Sequence, residues 1–280
     1  MLDPSARDLA HRQADAAAGA AGVRVESVAD PARLHAVARL LADVWETPPG
    51  ADPLPADVLR SLAHAGGAVH AAYGPQSMIG ASAAIWGPPE DRDVYSMIAG
   101  AHRTGGGVGY ALKLAQRAWA MERGAATITW TFDPLIRRNA WFNLVKLGAT
   151  APEYTADFYG PMNDVFNAGD ESDRLTVRWR LAAFRPGRAT DPAPRPSPEP
   201  SLAPDGMPYV ARQGDAVWCR VPEDILAVRA ADPARALGWR HAVREVFQAA
   251  EGLTAVSISR DGWYHLTPEP APEPTPEETP

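Results

Sequence analysis

The chain has 280 residues, 46% hydrophobic and 22% charged, which is enough apolar material for a sizeable core. A formal net charge of -7 gives no overall positive field for nucleic acid or an anionic membrane, and the single cysteine, Cys219, excludes an internal disulfide or a multi-cysteine zinc centre. No stretch approaches the roughly 20 apolar residues that span a bilayer, and the N-terminus lacks a signal-like apolar run, so a soluble, cytoplasmic protein is expected.

Residues 1–21, polar and alanine-rich, read as a flexible N-terminal arm. A strand over 23–28 then leads to a helix that Asp30 caps and Pro31 opens. Its apolar stripe is Leu34, Val37, Ala38, Leu41, Val44 and Trp45. A shorter helix over about 57–65 stops at Gly66-Gly67. Strands are expected over 68–73, 78–86 and 94–99. After a glycine-rich turn, Thr104-Gly105-Gly106-Gly107-Val108-Gly109, a helix runs to about Arg123 with Ala111, Leu112, Ala115, Ala118 and Trp119 on one face. Lys113 and Arg117 read as its solvated side, from which they could also reach outer phosphates of a ligand.

The next strand is the cleanest in the chain: Ala126, Ile128, Trp130 and Phe132 alternate with threonines. A helix over 138–147 closes at Gly148, and another alternating strand carries Leu175, Val177, Trp179 and Leu181. Residues 184–208 hold too many prolines for helix or sheet and read as a linker or surface loop. Beyond it, 209–266 offers a hairpin, a helix over about 233–251 and a second hairpin at Asp261-Gly262. Residues 267–280 form an acidic, proline-rich tail expected to be disordered.

A strand running into consecutive glycines and then a helix is a device for holding phosphate. Successive N–H groups line one concavity, the helix dipole adds to them, and glycine lets the ligand come close. A flexible surface turn is the alternative. No Lys-Ser/Thr pair follows, which excludes a Walker A loop. A dinucleotide fingerprint could start at Gly107, but its third glycine position is Leu112, and three strands and two helices come before the strand that leads into it, where such a turn usually follows the first strand of a domain.

The order strand, Thr104-x-x-Gly107-x-Gly109, long helix, strand, then a helix ending at Lys146-Leu147-Gly148 resembles the GNAT superfamily of N-acyltransferases. The segments ALKLAQRAW, ITWTFDPL, RRNAWFNLVKLGA, SDRLTVRW and LGWRHAVREVF look like one branch of it, associated with N-acylamino acid metabolism and succinyl transfer to amino acids. The resemblance covers about 22–266. It implies a mixed α/β fold, with a central mixed sheet flanked by helices over 22–183 and a small β-α-β block, 209–266, packed on the same domain. It also implies direct, metal-free transfer from acyl-CoA (acetyl- or succinyl-CoA) to a small-molecule amine, without nucleic acid or membrane. A homo-oligomer is compatible with the sequence, which does not set its size.

On this resemblance the backbone of Ile98 and Ala99 would orient the thioester. Arg103, Thr104, Gly105, Gly106, Gly107, Val108, Gly109 and Tyr110 would hold the pyrophosphate. Two departures stand out: Thr104 occupies a Gln/Arg position, and Leu144 stands where many members carry a tyrosine acid. Asp133 and Tyr159 are the candidate catalytic groups, with Tyr154 a spare acid. Asn139 and Asn143, four apart, could contact CoA and substrate or simply cap and pair within the fold. Arg137, Arg138 and Arg174 could clamp a substrate carboxylate. A non-catalytic acyl-CoA-binding regulatory module is the competing reading, favoured by the missing tyrosine.

Overall fold

The structure is a computed structural model and describes residues 4–102, 106–160, 170–186 and 193–269. The chain divides into two compact units: Met1–Trp130 with Pro161–Asp170 and Arg178–Pro186, and Thr131–Gly160 with Glu171–Val177 and Gly187–Pro280. This boundary corrects the expected one. The chain changes unit within the alternating strand around Trp130, and 209–266 builds on 131–160 instead of on a finished 22–183 domain.

The first unit contains helix α1 (Pro4–Ala20), strand β1 (Arg24–Ser27), helices α2 (Pro31–Trp45) and α3 (Ala56–His64), and strands β2 (Ala68–Tyr73), β3 (Met78–Trp86) and β4 (Asp93–Ala101). Helix α4 (Val108–Glu122) and the start of β5 (Thr127–Phe132) complete it. Strands β1 to β4 pair antiparallel in chain order, and β4 pairs parallel with β5 through the α4 crossover. The two sheet faces follow strand alternation. Ala71, Ala81, Ala83 and Val69 pack under α2 and α3 with Leu34, Val37, Leu41 and Leu59. Ala72 takes the other face with Val108 and Leu112 of α4. Asp30 caps α2 through Arg33 N, with Pro31 at the first turn, as its sequence predicts. Gly100 admits Trp45: a Cβ there would lie 2.3 Å from the indole.

Helix α1 corrects the expected flexible arm. Ala10, Ala14 and Ala18, four apart, are buried on one face, and α1 packs along α4. Small residues let the two helices approach, so the stripe is real although it lacks large side chains.

The second unit begins in β5 and continues through a short helix, α5 (Arg137–Ala140), which widens into a π-turn (Trp141–Lys146), and β6 (Thr150–Thr155). It then holds part of β7 (Arg174–Arg180), β8 (Val210–Gln213), β9 (Ala216–Arg220), α6 (Ile225–Ala231), α7 (Pro233–Ala249), β10 (Leu253–Ile258) and β11 (Trp263–Pro268). Its antiparallel order is β6-β10-β11-β9-β8. Both expected hairpins form, turning at Gly214 (φ 58°) and Gly262 (φ 91°). Strand β11 runs two residues past the expected start of the tail, while 270–280 lie outside the described residues, as do 187–192 of the proline-rich loop. Among the described residues, no helix is long and apolar enough to cross a membrane.

Candidate acyl-CoA site

The most distinctive geometry of the first unit is the divergence of β4 from β5. Parallel pairing covers Asp93↔Thr127 to Tyr95↔Thr129 and then ends, although β4 continues to Ala101. Asp93 ties the paired end together: its carboxylate accepts from Thr127 Oγ1 at 2.5 Å and Thr129 Oγ1 at 2.6 Å. On the other side, the β3 register jumps from Ala83↔Ile98 to Ala84↔Ser96, so Met97 is an inserted bulge residue. Bulge and divergence fall at the same point. From there to Ala101, β4 has no ladder partner in β5, and this stretch contains Ile98 and Ala99.

Beyond β4, Gly107 (φ 82°) forms the N-cap of α4 without a side-chain cap, and no acid lies in the first turn. The first intrahelical bond is Ala111 N to Gly107 O, so the N–H groups of Val108, Gly109 and Tyr110 precede the helical ladder. Gly107 needs its positive φ, but Gly106 and Gly109 do not, and a Cβ at either would meet nothing within 4 Å. Neither backbone strain nor protein packing demands these two glycines, and the space beside them is open. Val108 anchors the turn: Gly80 of β3 lies beneath it, where a Cβ would come within 2.9 Å of Val108 Cγ1. Arg103, Thr104 and Gly105 lie outside the described residues.

Helix α4 carries polar groups that its sequence disguises. Lys113 and Arg117, expected to be solvated, are 4% and 3% exposed; α1 and β4 cover the faces that a flexible arm would leave open. Lys113 Nζ donates to Ser96 Oγ at 2.8 Å, which donates to Gln116 Oε1 at 2.9 Å. The ammonium lies 3.7 Å from the Trp130 ring centroid. Burial with no carboxylate in contact among the described residues lowers the Lys113 pKa to about 7. Arg117 donates to Leu181 O at 2.8 and 3.0 Å and to Gln13 of α1 at 2.8 Å.

The second unit corrects the role expected for Asp133. Its carboxylate is gripped by Arg240 at 2.7 and 2.8 Å, with Arg229 at 3.7 Å, and accepts from Leu135 N at 2.9 Å. Burial alone would raise its pKa, but the Arg240 charge and hydrogen bonds hold it low. A buried carboxylate with both oxygens committed to a guanidinium is a structural anchor and a poor proton acceptor. Tyr154 is similarly bound, donating to Asp173, and burial with that carboxylate pushes its pKa far up. Arg244 also grips Asp173, at 2.9 Å through Nε. Tyr159 is half exposed, with Oη 3.1 Å from Thr131 Oγ1 and the Arg174 guanidinium over its ring.

The three candidate clamp arginines are separate in their contacts. Arg137 pairs with Glu223 at 3.4 Å, Arg138 is exposed, and Arg174 is buried, bonding Asp173 O at 2.9 Å. Asn143 is buried and Asn139 half-buried on the widened helix. Leu144 is fully buried. Cys219 is also buried, which pushes its thiol pKa up and fits an inert side chain. Among the described residues, no cluster of three metal-ligating side chains occurs. The Asp133–Arg240 pair was beyond sequence reasoning, since its members lie 107 residues apart.

No family model matches the chain, and no curated protein matches it. Solved structures with similarity include a candidate acetyltransferase of the GNAT family from Desulfovibrio desulfuricans, at 17% identity over 57% of this chain and 99% of that one, TM-score 0.45. A candidate acetyltransferase from Salmonella typhimurium, solved with acetyl-CoA, is 14% identical over 62% of this chain and 99% of its own, TM-score 0.46. A ribosomal-protein-alanine N-acetyltransferase from Brucella melitensis is 14% identical over 56% and 99%, TM-score 0.45.

Proposed function

We propose that the chain is a CoA-dependent N-acyltransferase of the GNAT type. One observation carries the reading: the β4/β5 divergence begins at a bulge in β4, and the strand then leads to the uncapped, glycine-flanked N-terminus of α4. The diverging edge at Ile98 and Ala99 offers backbone groups to the pantetheine amide and the thioester carbonyl. The first-turn N–H groups of α4 meet the pyrophosphate, favoured by the helix dipole. The open space at Gly106 and Gly109 leaves room for phosphate against the backbone.

Acyl-CoA supplies an activated thioester. A neutral amine attacks its carbonyl carbon, the C–N bond forms, the C–S bond breaks, and the departing CoA thiolate takes up the proton that the attacking nitrogen gives up. The chain's part is to hold the carbonyl still beside backbone donors, and positioning of this kind is worth roughly 7–11 kcal/mol of barrier. No step is assigned to Asp133, whose lone pairs are occupied. The acceptor we infer is a small-molecule amine, with amino acids the first class to test. Acetyl- and succinyl-CoA are the donors to compare. A screen of amino acids, polyamines, aminoglycosides and a lysine peptide against both donors, read by a thiol reporter, tests the proposal. Amine-dependent release of CoA supports it. CoA binding without release for any amine favours the regulatory module instead.

A further inference from the structure

The first unit contains a cleft of about 480 Å³, lined by α1, α4 and strands β1 and β2, a volume within the range of small-molecule sites. Small residues create it. Ala14 and Ala18 of α1 face Ala115 and Ala118 of α4, and the floor is Ser27 and His70, which are register partners on β1 and β2. His70 is 4% exposed, and its Nδ1 is buried with no hydrogen-bond partner. Such an orphan costs stability unless something fills its valence. Desolvation, with the nearby Arg123 charge, keeps the ring neutral by lowering its pKa to about 4.

The rim carries both signs of charge: Asp15 and Glu122 against Arg24 and Arg123. Asp15 makes no ion pair among the described residues, whereas exposed Arg24 pairs with half-buried Glu26, which Arg33 also engages, and Arg123 pairs with Glu122 at exposed positions. Exposed pairs of this kind hold weakly and give way to a better partner. An isolated anion in the cleft would face two carboxylates, and an isolated cation two guanidiniums. A zwitterion satisfies both.

We propose that this cleft binds a free α-amino acid with an uncharged polar side chain. Its ammonium meets Asp15, its carboxylate meets Arg123 or Arg24, and its side chain lies between the alanine walls and hydrogen-bonds His70. Occupation would reach the turn before α4, because the end of α1 abuts it: a Cβ on Gly107 would lie 3.3 Å from Ala21 Cβ. The binding claim stands apart from the transferase reading, since it uses none of the residues of the acyl-CoA site.

Isothermal titration with glutamine, asparagine, serine and threonine, joined to hydrogen exchange of the full chain, tests it. At least one of the four should bind at millimolar concentration or below and slow exchange within 4–22. The analogues of that binder lacking the amine or the carboxylate, and its apolar counterpart (norleucine for glutamine), should bind at least tenfold more weakly. Asp15→Asn should weaken binding at least tenfold, and Ala14→Phe, which fills the cleft from the buried face of α1, should abolish it. Gly109→Glu, outside the cleft, should leave it unchanged. Absence of binding by all four, or binding that ignores Ala14→Phe, overturns the proposal. So does binding lost in Gly109→Glu, which would move the amino acid to the acyl-CoA site.

Discussion

Replacing Lys113 by Met should change both the stability of the fold and its pH dependence. Lys113 Nζ is buried, held by Ser96 Oγ at 2.8 Å and by the Trp130 face, with no counter-charge in contact among the described residues. Burial brings its pKa from 10.5 down to about 7. Each pH unit separating folded and unfolded values is worth about 1.4 kcal/mol, so the charged form costs the native state several kcal/mol. Because the folded pKa is the lower one, the unfolded chain binds the extra proton between about pH 7 and 10.5. Stability should therefore rise with pH across that window, and the full penalty should remain below it. Met keeps the apolar stem and removes the charge. Urea titrations of wild type and Lys113→Met at pH 6, 7.5 and 9 read the difference directly, since other groups titrate alike in both proteins. Lys113→Met should be the more stable at pH 6 by a few kcal/mol, with its advantage shrinking as pH rises. A difference that stays constant from pH 6 to 9 would show that Lys113 is solvated or paired in the fold and refute the reasoning.

His70 gives a second, separate window. Its pKa falls to about 4, so wild-type stability should rise between pH 4 and 6.5, and His70→Phe should flatten that rise in the same urea titrations. Asp133→Asn leaves Arg240 buried against a neutral partner and should cost about 3–5 kcal/mol in unfolding free energy; an unchanged urea midpoint with a lost rate would restore Asp133 as a base. Deleting residues 1–21 should lower the melting temperature by several degrees, because it uncovers the α4 face beneath Ala10, Ala14 and Ala18 and removes Gln13 from Arg117. A truncated chain melting like wild type would return α1 to the status of a flexible arm.

The fold is most legible in the sequence where local chemistry is strong. Asp30-Pro31 marks the start of α2, the threonine alternation marks β5, and Asp261-Gly262 marks the last hairpin, because each signal acts within a few residues. Helix α1 escapes such a reading because Ala10, Ala14 and Ala18 carry too little apolar area to stand out, though all three are buried in the fold. One omission entails the next. With no partner for the outer side of α4, Lys113 and Arg117 read as solvated, when α1 and β4 bury them. Strand β6 contains Pro152, which argues against a strand, and it pairs with β10 at one register position only, Ala151↔Ala255. At the candidate site, the glycine turn and its helix are readable from order and spacing. The bulge at Met97 is not, since one inserted residue leaves no trace in composition. The engagement of Asp133 by Arg240 depends on tertiary contact across 107 residues, which no local pattern encodes.

The proposed acyl-CoA site is tested most directly at Gly109. This position has no positive φ, and a Cβ there would meet no neighbour within 4 Å, so Gly109→Glu should fold and melt like the wild-type apoprotein. It places a bulky carboxylate where phosphate would meet the first turn of α4. Isothermal titration of both proteins with CoA is the measurement. Wild type should bind and Gly109→Glu should bind at least a hundredfold more weakly, while equal affinity in the two would contradict the placement of the ligand on this turn.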